Sequence, residues 1–225
     1  MKAKELREGT AVNLTELVSV LDKSGSMGGL EDDTIGGYNA LLEKQREVEG
    51  KCLVTTVLFD HEYSVLHDQV DLSQVRPLTR REYQAGGSTA LLDAMGLTIQ
   101  RVADRQQQAQ GEKKDAKVLF VVITDGEENS SVEFSVQRVR ELVEAQKQRG
   151  WEFIFLGANM DAISVASRYG IDASRAQSFH ADHQGVTLNF AAMSEAVADY
   201  RRSGRVSTNW KRQIDADYQQ RKRGR

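Results

Sequence analysis

Oxygen-bearing side chains follow two strongly apolar runs of this chain, at the point where each run ends. The first run, residues 15–21, leads into an acid and two hydroxyls on alternate positions: Asp22, Ser24 and Ser26. The second run, residues 116–124, closes on Asp125 and Gly126. Near-continuous apolar runs of this length are typical of buried parallel strands, whose carboxyl ends meet at one edge of a sheet. Carboxylate and hydroxyl oxygens gathered there suit a hard divalent cation.

A glycine-rich segment between these runs offers further hydroxyls. Residues 85–89 read Ala-Gly-Gly-Ser-Thr and precede apolar residues at helical spacing from Leu91 onward. The pattern predicts a loop that enters a helix, with Ser88 or Thr89 as the N-terminal cap. Three separate loops could therefore supply oxygen ligands to one site.

The D-x-S-x-S spacing, the Gly-Ser-Thr loop and the later T-D-G, in this order, resemble the von Willebrand factor type A domain. The resemblance covers roughly Leu14 to Tyr200 and implies a metal-ion-dependent adhesion site. The ligands that the resemblance implies are Asp22, Ser24, Ser26, Thr89 and Asp125. Members of the family in bacterial and intracellular settings often accompany AAA-type ATPases, so the resemblance also implies an ATPase as one kind of partner.

Magnesium is the cation that this ligand set favours. Mg²⁺ takes octahedral oxygen coordination and keeps several waters, so hydroxyls can bind it directly while carboxylates act through water. Mn²⁺ could replace it, whereas the absence of nearby Cys or His disfavours Zn²⁺. We therefore expect a Mg²⁺-dependent binding module, to whose metal a partner protein supplies an Asp or Glu carboxylate, and no catalytic residues.

A Mg²⁺-dependent phosphatase or phosphotransfer hydrolase is the alternative function. That chemistry needs a nucleophilic Asp and normally a second acid two residues later, but Ser24 occupies that position after Asp22. A second metal site at His180, Asp182 and His183 is a further alternative. These three residues follow a predicted strand, and we expect a polar loop there instead.

Strands and helices alternate along the chain. The predicted strands end at Asp22 and Asp125 or cover residues 52–59, 63–67, 151–156 and 176–179. The predicted helices cover residues 31–48, 91–102, 131–149, 161–169 and 187–200, and residues 105–115 are expected to form a surface loop. Alternation with one hairpin predicts an α/β fold: a doubly wound, mostly parallel sheet of about six strands, with one antiparallel edge strand and helices on both faces.

Composition and charge divide the chain into three parts: a polar segment over residues 1–13, the type A-like domain over 14–200 and a basic tail over 201–225. The tail holds nine Lys or Arg and two Asp, although the whole chain has a net charge of −3. Nucleic-acid binding is not expected, but the basic tail leaves it open. The sequence shows no secretory signal and no run of the ~18 apolar residues that a membrane span needs, which favours a cytoplasmic location. Its single cysteine, Cys52, is expected to be a buried core residue.

Overall fold

The computed structural model describes residues 14–223. The predicted N-terminal segment over residues 1–13 lies outside the described residues, as do the last two residues of the basic tail. Within the described part, no helix combines the length and the apolar character needed to cross a membrane.

A six-stranded sheet forms the centre of the fold, in the order β3-β2-β1-β4-β5-β6. The strands are β1 (Thr15–Asp22), β2 (Cys52–Phe59), β3 (Tyr63–Asp71), β4 (Lys117–Thr124), β5 (Glu152–Ala158) and β6 (Ala176–Phe179). All neighbours pair in parallel except β3, which runs antiparallel to β2 at one edge. Leu21 lies opposite Ile123, so β1 and β4 end side by side at the carboxyl edge of the sheet.

The described residues form six α-helices. They are α1 (Glu31–Arg46), α2 (Leu91–Gln108), α3 (Val136–Gln148), α4 (Ala162–Arg168), α5 (His183–Ser203) and α6 (Arg212–Arg223). Successive residues of a strand face opposite sides of the sheet, which gives two hydrophobic layers. Leu17 and Leu21 pack in the layer with α1 and α5, and Val18 and Val20 pack in the layer with α2 and α3. This architecture confirms the predicted doubly wound fold.

Several element boundaries differ from the predictions. Helix α2 continues to Gln108, through residues predicted as loop, because Arg105 pairs with the buried carboxylate of Glu16. Helix α5 begins at His183 and not at residue 187, because the Asp182 carboxylate caps it by accepting from the Gly185 N–H at 2.8 Å. Strand β3 extends to Asp71, four residues beyond the predicted end.

Helix α3 begins at Val136, five residues later than predicted. The backbone N–H groups of residues 132–134 donate to the Asp93 carboxylate at 2.8–2.9 Å, which holds this stretch in an extended loop. Ser135 then caps the helix through the N–H of Arg138. A buried acid on another element therefore decides where α3 starts, and no local pattern reveals it.

The C-terminal residues from 201 to 223 pack against the rest of the molecule. Helix α6 contacts β6 and α5, and both its Ile214 and the preceding Trp210 are buried. The Trp210 indole N–H donates to the carbonyl of Ser174 at 2.9 Å. The Arg221 guanidinium pairs with both Asp182 and Asp217. Much of this basic segment is thus engaged with the molecule's own surface.

Candidate metal centre

Asp22 ends β1, and each oxygen of its carboxylate accepts a hydrogen bond. The Thr124 hydroxyl donates to Oδ2 at 2.6 Å, and the backbone N–H of Ser24 donates to Oδ1 at 2.7 Å. Burial raises the pKa of the Asp22 carboxyl, and these hydrogen bonds oppose the rise. The result is a buried carboxylate with a fixed orientation, directly at the carboxyl edge of the sheet.

Asp125 follows β4 and meets the two serines of the first loop. The Ser26 hydroxyl donates to Asp125 Oδ1 at 2.5 Å, and the Ser24 and Ser26 hydroxyl oxygens lie 3.1 Å apart. The other oxygen, Asp125 Oδ2, is buried without a hydrogen-bond partner. Burial raises the pKa of Asp125 to about 6; the Ser26 hydrogen bond opposes this rise, and the negative charge of Asp22 adds to it.

Thr89 completes the cluster, and Gly126 marks the point on which the hydroxyls converge. A Cβ atom added to Gly126 would lie 3.1 Å from Thr89 Oγ1, 3.2 Å from Ser26 Oγ and 3.8 Å from Ser24 Oγ. Thr89 is buried, whereas the neighbouring Ser88 is exposed. The structure therefore brings together all five side chains that the sequence singled out: the three hydroxyls meet beside Gly126, and hydrogen bonds join Ser26 to Asp125 and the Ser24 backbone to Asp22.

Backbone hydrogen bonds fix the glycine loop against the loop that follows β1. The N–H of Gly25 donates to the Gly87 carbonyl at 3.0 Å, and the N–H of Gly86 donates to the Lys23 carbonyl at 2.9 Å. Gly87 has φ +73°, and a Cβ there would lie 2.2 Å from Nδ1 of His61. The left-handed backbone at position 87 favours glycine, which allows the close approach of the two loops.

Asn129 holds Thr89 and was missed by the sequence interpretation. Its side-chain Oδ1 accepts from the Thr89 N–H at 2.8 Å, while its own N–H donates to the Thr89 carbonyl at 3.0 Å. These two bonds join the backbone of Thr89 to the loop that follows Asp125. An asparagine four residues after the T-D-G acid is the only sequence signal, and its type alone does not indicate this contact.

Glu128 and Asp93 tie the same loop to the start of α2. The Leu92 N–H donates to Glu128 Oε2 at 2.8 Å, and the Asp93 carboxylate accepts the N–H groups of residues 132–134. The prediction that Ser88 or Thr89 caps α2 was wrong: Ala90 is the cap residue, and Glu128 supplies the missing acceptor from a distant loop. Thr89 and the loop that follows Asp125 are therefore parts of one hydrogen-bonded unit.

The alternative metal site over residues 180–183 does not assemble. His183 Nδ1 lies 2.5 Å from Asp33, His180 stacks on Tyr218, and Asp182 caps α5 and pairs with Arg221. Over the described residues, no group of three or more His, Cys, Asp and Glu side chains is placed to hold a metal. The remaining candidate is the cluster of two carboxylates and three hydroxyls.

Comparison with known families agrees with this arrangement. The family model of the von Willebrand factor type A domain matches residues 16–181. The chain belongs to this family. Type A domains often mediate protein–protein interaction through a metal ion, as the resemblance implied. A comparison with curated proteins gives no match.

Solved structures similar to this type A domain share its fold at low sequence identity. Proximal thread matrix protein 1 from the mussel byssus has zinc at its metal-ion-dependent adhesion site (MIDAS) motif. Its structure gives a TM-score of 0.57 at 10% sequence identity, and the match covers 84% of this chain and 46% of that chain. The ArnB paralog VWA2 from Sulfolobus acidocaldarius has a TM-score of 0.54 and 15% identity, with 81% of this chain and 44% of that chain covered.

The chain therefore spans less than half of the length of these two chains. BatB from Bacteroides thetaiotaomicron has a TM-score of 0.52 and 14% identity, with 84% of this chain and 100% of that chain covered. These likenesses support the type A fold.

Proposed function

We propose that this type A domain is a Mg²⁺-dependent protein-binding module. The observation that carries the proposal is the convergence of five oxygen-bearing side chains beside an unpartnered, buried carboxylate oxygen, Asp125 Oδ2. A buried carboxylate without a partner costs stability unless a cation or a proton neutralises it. A divalent cation satisfies this oxygen and the hydroxyl lone pairs together, so the residues present fit such an ion.

Each of the five residues has a definite part in holding the ion. Ser24, Ser26 and Thr89 offer neutral hydroxyl oxygens, and Asp22 and Asp125 offer the negative charge, directly or through water. The bound ion would supply an electrophilic centre with one position for an outside oxygen ligand. Because neutral hydroxyls can bind the ion directly while the carboxylates act through water, the ion would stay electrophilic towards an incoming carboxylate.

Magnesium is proposed as the resident metal on ligand chemistry. The site contains only oxygen donors, which Mg²⁺ and Mn²⁺ accept and which Zn²⁺ prefers less than nitrogen or sulfur. The mussel protein, however, has zinc at its MIDAS motif. Competition between Mg²⁺, Mn²⁺ and Zn²⁺ for the same site therefore belongs in the first binding experiment.

The partner is proposed to be a protein that presents an Asp or Glu carboxylate. The ATPase partner and the cytoplasmic location remain predictions. Nucleic acid is not part of the proposal, because basic side chains of the C-terminal segment bind carbonyl and carboxylate groups of the domain itself. Lys211 donates to the carbonyls of Ala173 and Ala176, at 2.6 and 2.7 Å, and Arg221 pairs with two aspartates.

Thermal unfolding in the presence and absence of metal tests the proposal. At a Mg²⁺ concentration of 100 times Kd, the folded state should gain about 2.7 kcal/mol, or roughly 5–10 °C in a domain of this size. The double variant Asp22→Ala with Asp125→Ala should lose this gain, and Asp104→Ala, which removes an exposed acid far along α2, should keep it.

Two results would contradict the proposal. An equal Mg²⁺-induced rise in the double variant would show that the ion binds elsewhere. Turnover of p-nitrophenyl phosphate that requires Mg²⁺ and disappears in Asp22→Asn would instead favour the phosphatase alternative.

A further inference from the structure

The two outer strands of the sheet differ in what covers them. At the β6 edge, α6 packs on the strand, and the Lys211 ammonium donates to the Ala176 carbonyl at 2.7 Å. At the other edge, β3 pairs with β2 on one side, and no strand of the described residues pairs with its other side. An edge strand without such cover presents backbone N–H and C=O groups to which an extended chain can hydrogen-bond.

The pairing of β2 with its neighbours shows which backbone groups of β3 face outward. The Phe59 carbonyl accepts from the backbone N–H of Lys23 at 2.7 Å, so the backbone groups of Phe59 point towards β1. Tyr63 lies opposite Phe59 and is therefore in a non-hydrogen-bonded pair, so its own N–H and C=O point away from β2. The same holds for Val65, two residues further on. Two successive outward-facing positions are thus open to a further strand.

Contacts with α2 hold this part of β3 in place. The side chains of Tyr63 and Val65 pack in the layer with α2, and the Thr98 hydroxyl donates to Tyr63 Oη at 3.2 Å. Arg105 of α2 pairs with Asp68 of β3. An extended partner therefore meets a strand that is already ordered, which lowers the entropy cost of binding.

An open groove of about 980 Å³ lies between β3 and the segment of residues 74–82 that follows it. Its apolar lining consists of Leu66 and Val70 from β3 and Pro77 from the segment. Asn39 of α1 fixes the segment, because its side chain accepts from the Leu78 N–H at 2.8 Å and donates to the Leu78 carbonyl at 2.9 Å. The groove therefore offers a fixed apolar surface to side chains of a chain that pairs with β3.

Positive charge predominates in this groove, although the whole chain has a net charge of −3. The lining includes three guanidinium groups and one carboxylate, those of Arg76, Arg80, Arg81 and Glu82. Arg80 pairs with Asp32 at 2.6 Å, and Glu82 accepts from the N–H and the hydroxyl of Thr79. Arg76 and Arg81 are exposed and form no ion pair with any residue that the structure describes. Their guanidinium groups are thus available to carboxylates from outside.

We propose that the β3 edge is a second interaction surface, which binds an extended, acidic protein segment as an additional strand. The backbone of the segment pairs with Tyr63 and Val65, and its Asp or Glu side chains pair with Arg76 and Arg81. Its apolar side chains enter the groove. A second copy of this chain fits less well, because it would bring two cationic grooves together. None of these residues is a metal ligand, so binding here needs no Mg²⁺ and does not rest on the proposed function.

Peptide selection in EDTA tests this surface while no metal is bound. Phage-displayed 12-residue peptides are selected on the native protein, and the most enriched peptide is synthesised with a fluorescent label. Its Kd is measured by fluorescence polarisation on the native protein, on Val65→Pro and on the double variant Arg76→Glu with Arg81→Glu. Proline at position 65 removes an outward N–H and no hydrogen bond to β2. The matched control for charge is Arg168→Glu, an exposed arginine on α4, which packs on β5 and β6.

Two measurements on the native protein accompany the variants. Hydrogen exchange followed by NMR reports on the amides of Tyr63 and Val65 with and without the peptide, so the test does not depend on the folding of Val65→Pro. Sedimentation velocity measures the oligomeric state of the protein without peptide.

The selected peptide should be rich in Asp and Glu, and it should bind Val65→Pro and the charge-reversed double variant about tenfold more weakly. Arg168→Glu should bind it like the native protein. The amides of Tyr63 and Val65 should exchange rapidly in the free protein and slowly with the peptide bound.

Four results would overturn the inference: no peptide enriched in EDTA, native affinity in the charge-reversed variant, unchanged exchange of both amides at saturating peptide, or a native dimer in which these amides are already protected. The last result would make a second copy of the chain the occupant of the edge. None of them concerns Mg²⁺ binding, so the proposed function is tested separately.

Discussion

Replacement of Asp125 by asparagine should stabilise the metal-free protein and abolish its response to magnesium. The carboxylate is 2% exposed, one of its oxygens has no partner, and the acid of Asp22 raises its pKa further. Asparagine keeps an oxygen for the Ser26 hydroxyl and removes the buried charge. The change therefore removes an electrostatic cost that only a cation or a proton otherwise relieves.

The magnitude follows from the shifted pKa of Asp125. A rise from 3.8 to about 6 corresponds to about 3 kcal/mol of unfavourable interaction of the charged form, at about 1.4 kcal/mol per pKa unit. The new amide NH₂ would replace the unpartnered oxygen and would cost about 1 kcal/mol where it lacks an acceptor. We expect the Asp125→Asn variant to gain about 1–2 kcal/mol in EDTA at pH 7.5, which corresponds to a few degrees in Tm.

The pH dependence has a definite sign. The pKa of Asp125 is higher in the folded state than in the unfolded state, so the folded state binds a proton more tightly. The metal-free native protein should therefore gain stability as the pH falls from about 7 towards 4, and the advantage of Asp125→Asn should disappear over that range. Apparent Mg²⁺ affinity should fall below about pH 6, because a proton competes with the ion.

Urea unfolding between pH 4 and 8, in EDTA and in saturating Mg²⁺, measures all of these effects. Asp93→Asn is the matched control, because that buried carboxylate accepts three backbone N–H groups and should lose stability when neutralised. The reasoning is refuted if Asp125→Asn destabilises the protein in EDTA, or if its advantage is the same with Mg²⁺ present.

Three further predictions concern the surroundings of the site. Asn129→Ala should weaken Mg²⁺ binding about tenfold or more, as measured by calorimetry. Asn129→Asp retains the acceptor for the Thr89 N–H and should keep most of the native Mg²⁺ affinity. Native Mg²⁺ affinity in the alanine variant would show that Asn129 does not position Thr89. Gly126→Ala should prevent the Mg²⁺-induced rise in Tm, because its Cβ would enter the space between the hydroxyls, whereas Gly36→Ala, which meets no atom within 4 Å, should leave that rise intact. Trp210→Ala should lower the free energy of unfolding in urea by about 3 kcal/mol and leave Mg²⁺ affinity unchanged. A loss of Mg²⁺ affinity without a loss of stability would instead show that the C-terminal segment contributes to the metal centre.

The fold and the clustering of the candidate ligands could be predicted from sequence because both depend on local patterns. An apolar run that ends on an acid places that acid at a strand end, and parallel pairing of β1 and β4 then brings Asp22 and Asp125 to the same edge. The glycines near Thr89 similarly indicate a loop that closes tightly on its neighbour. These features need no knowledge of distant side chains.

The residues that hold the ligands could not be predicted, because their contacts join positions about 40 residues apart. Asn129 and Glu128 bind the start of α2, and Asp93 binds the loop before α3. Each is an ordinary polar residue in its local context. The C-terminal helix was not predicted for a related reason. Its composition is polar, and it packs on the domain mainly through the buried Ile214 and the preceding Trp210.

The hydrogen bonds around the site hold its two carboxylates at one edge of the sheet. Two buried carboxylates that face one centre repel each other, and a flexible pair would move apart or admit water. Thr124 and the Ser24 backbone hold Asp22, while the loop after Asp125 is tied to α2 through Asn129 and Glu128. This rigid frame keeps the carboxylates in a geometry that is costly without a cation, so the free energy of metal binding includes the relief of that cost. A type A domain built in this way should bind its ion more weakly when the frame is loosened, even if all five ligands remain.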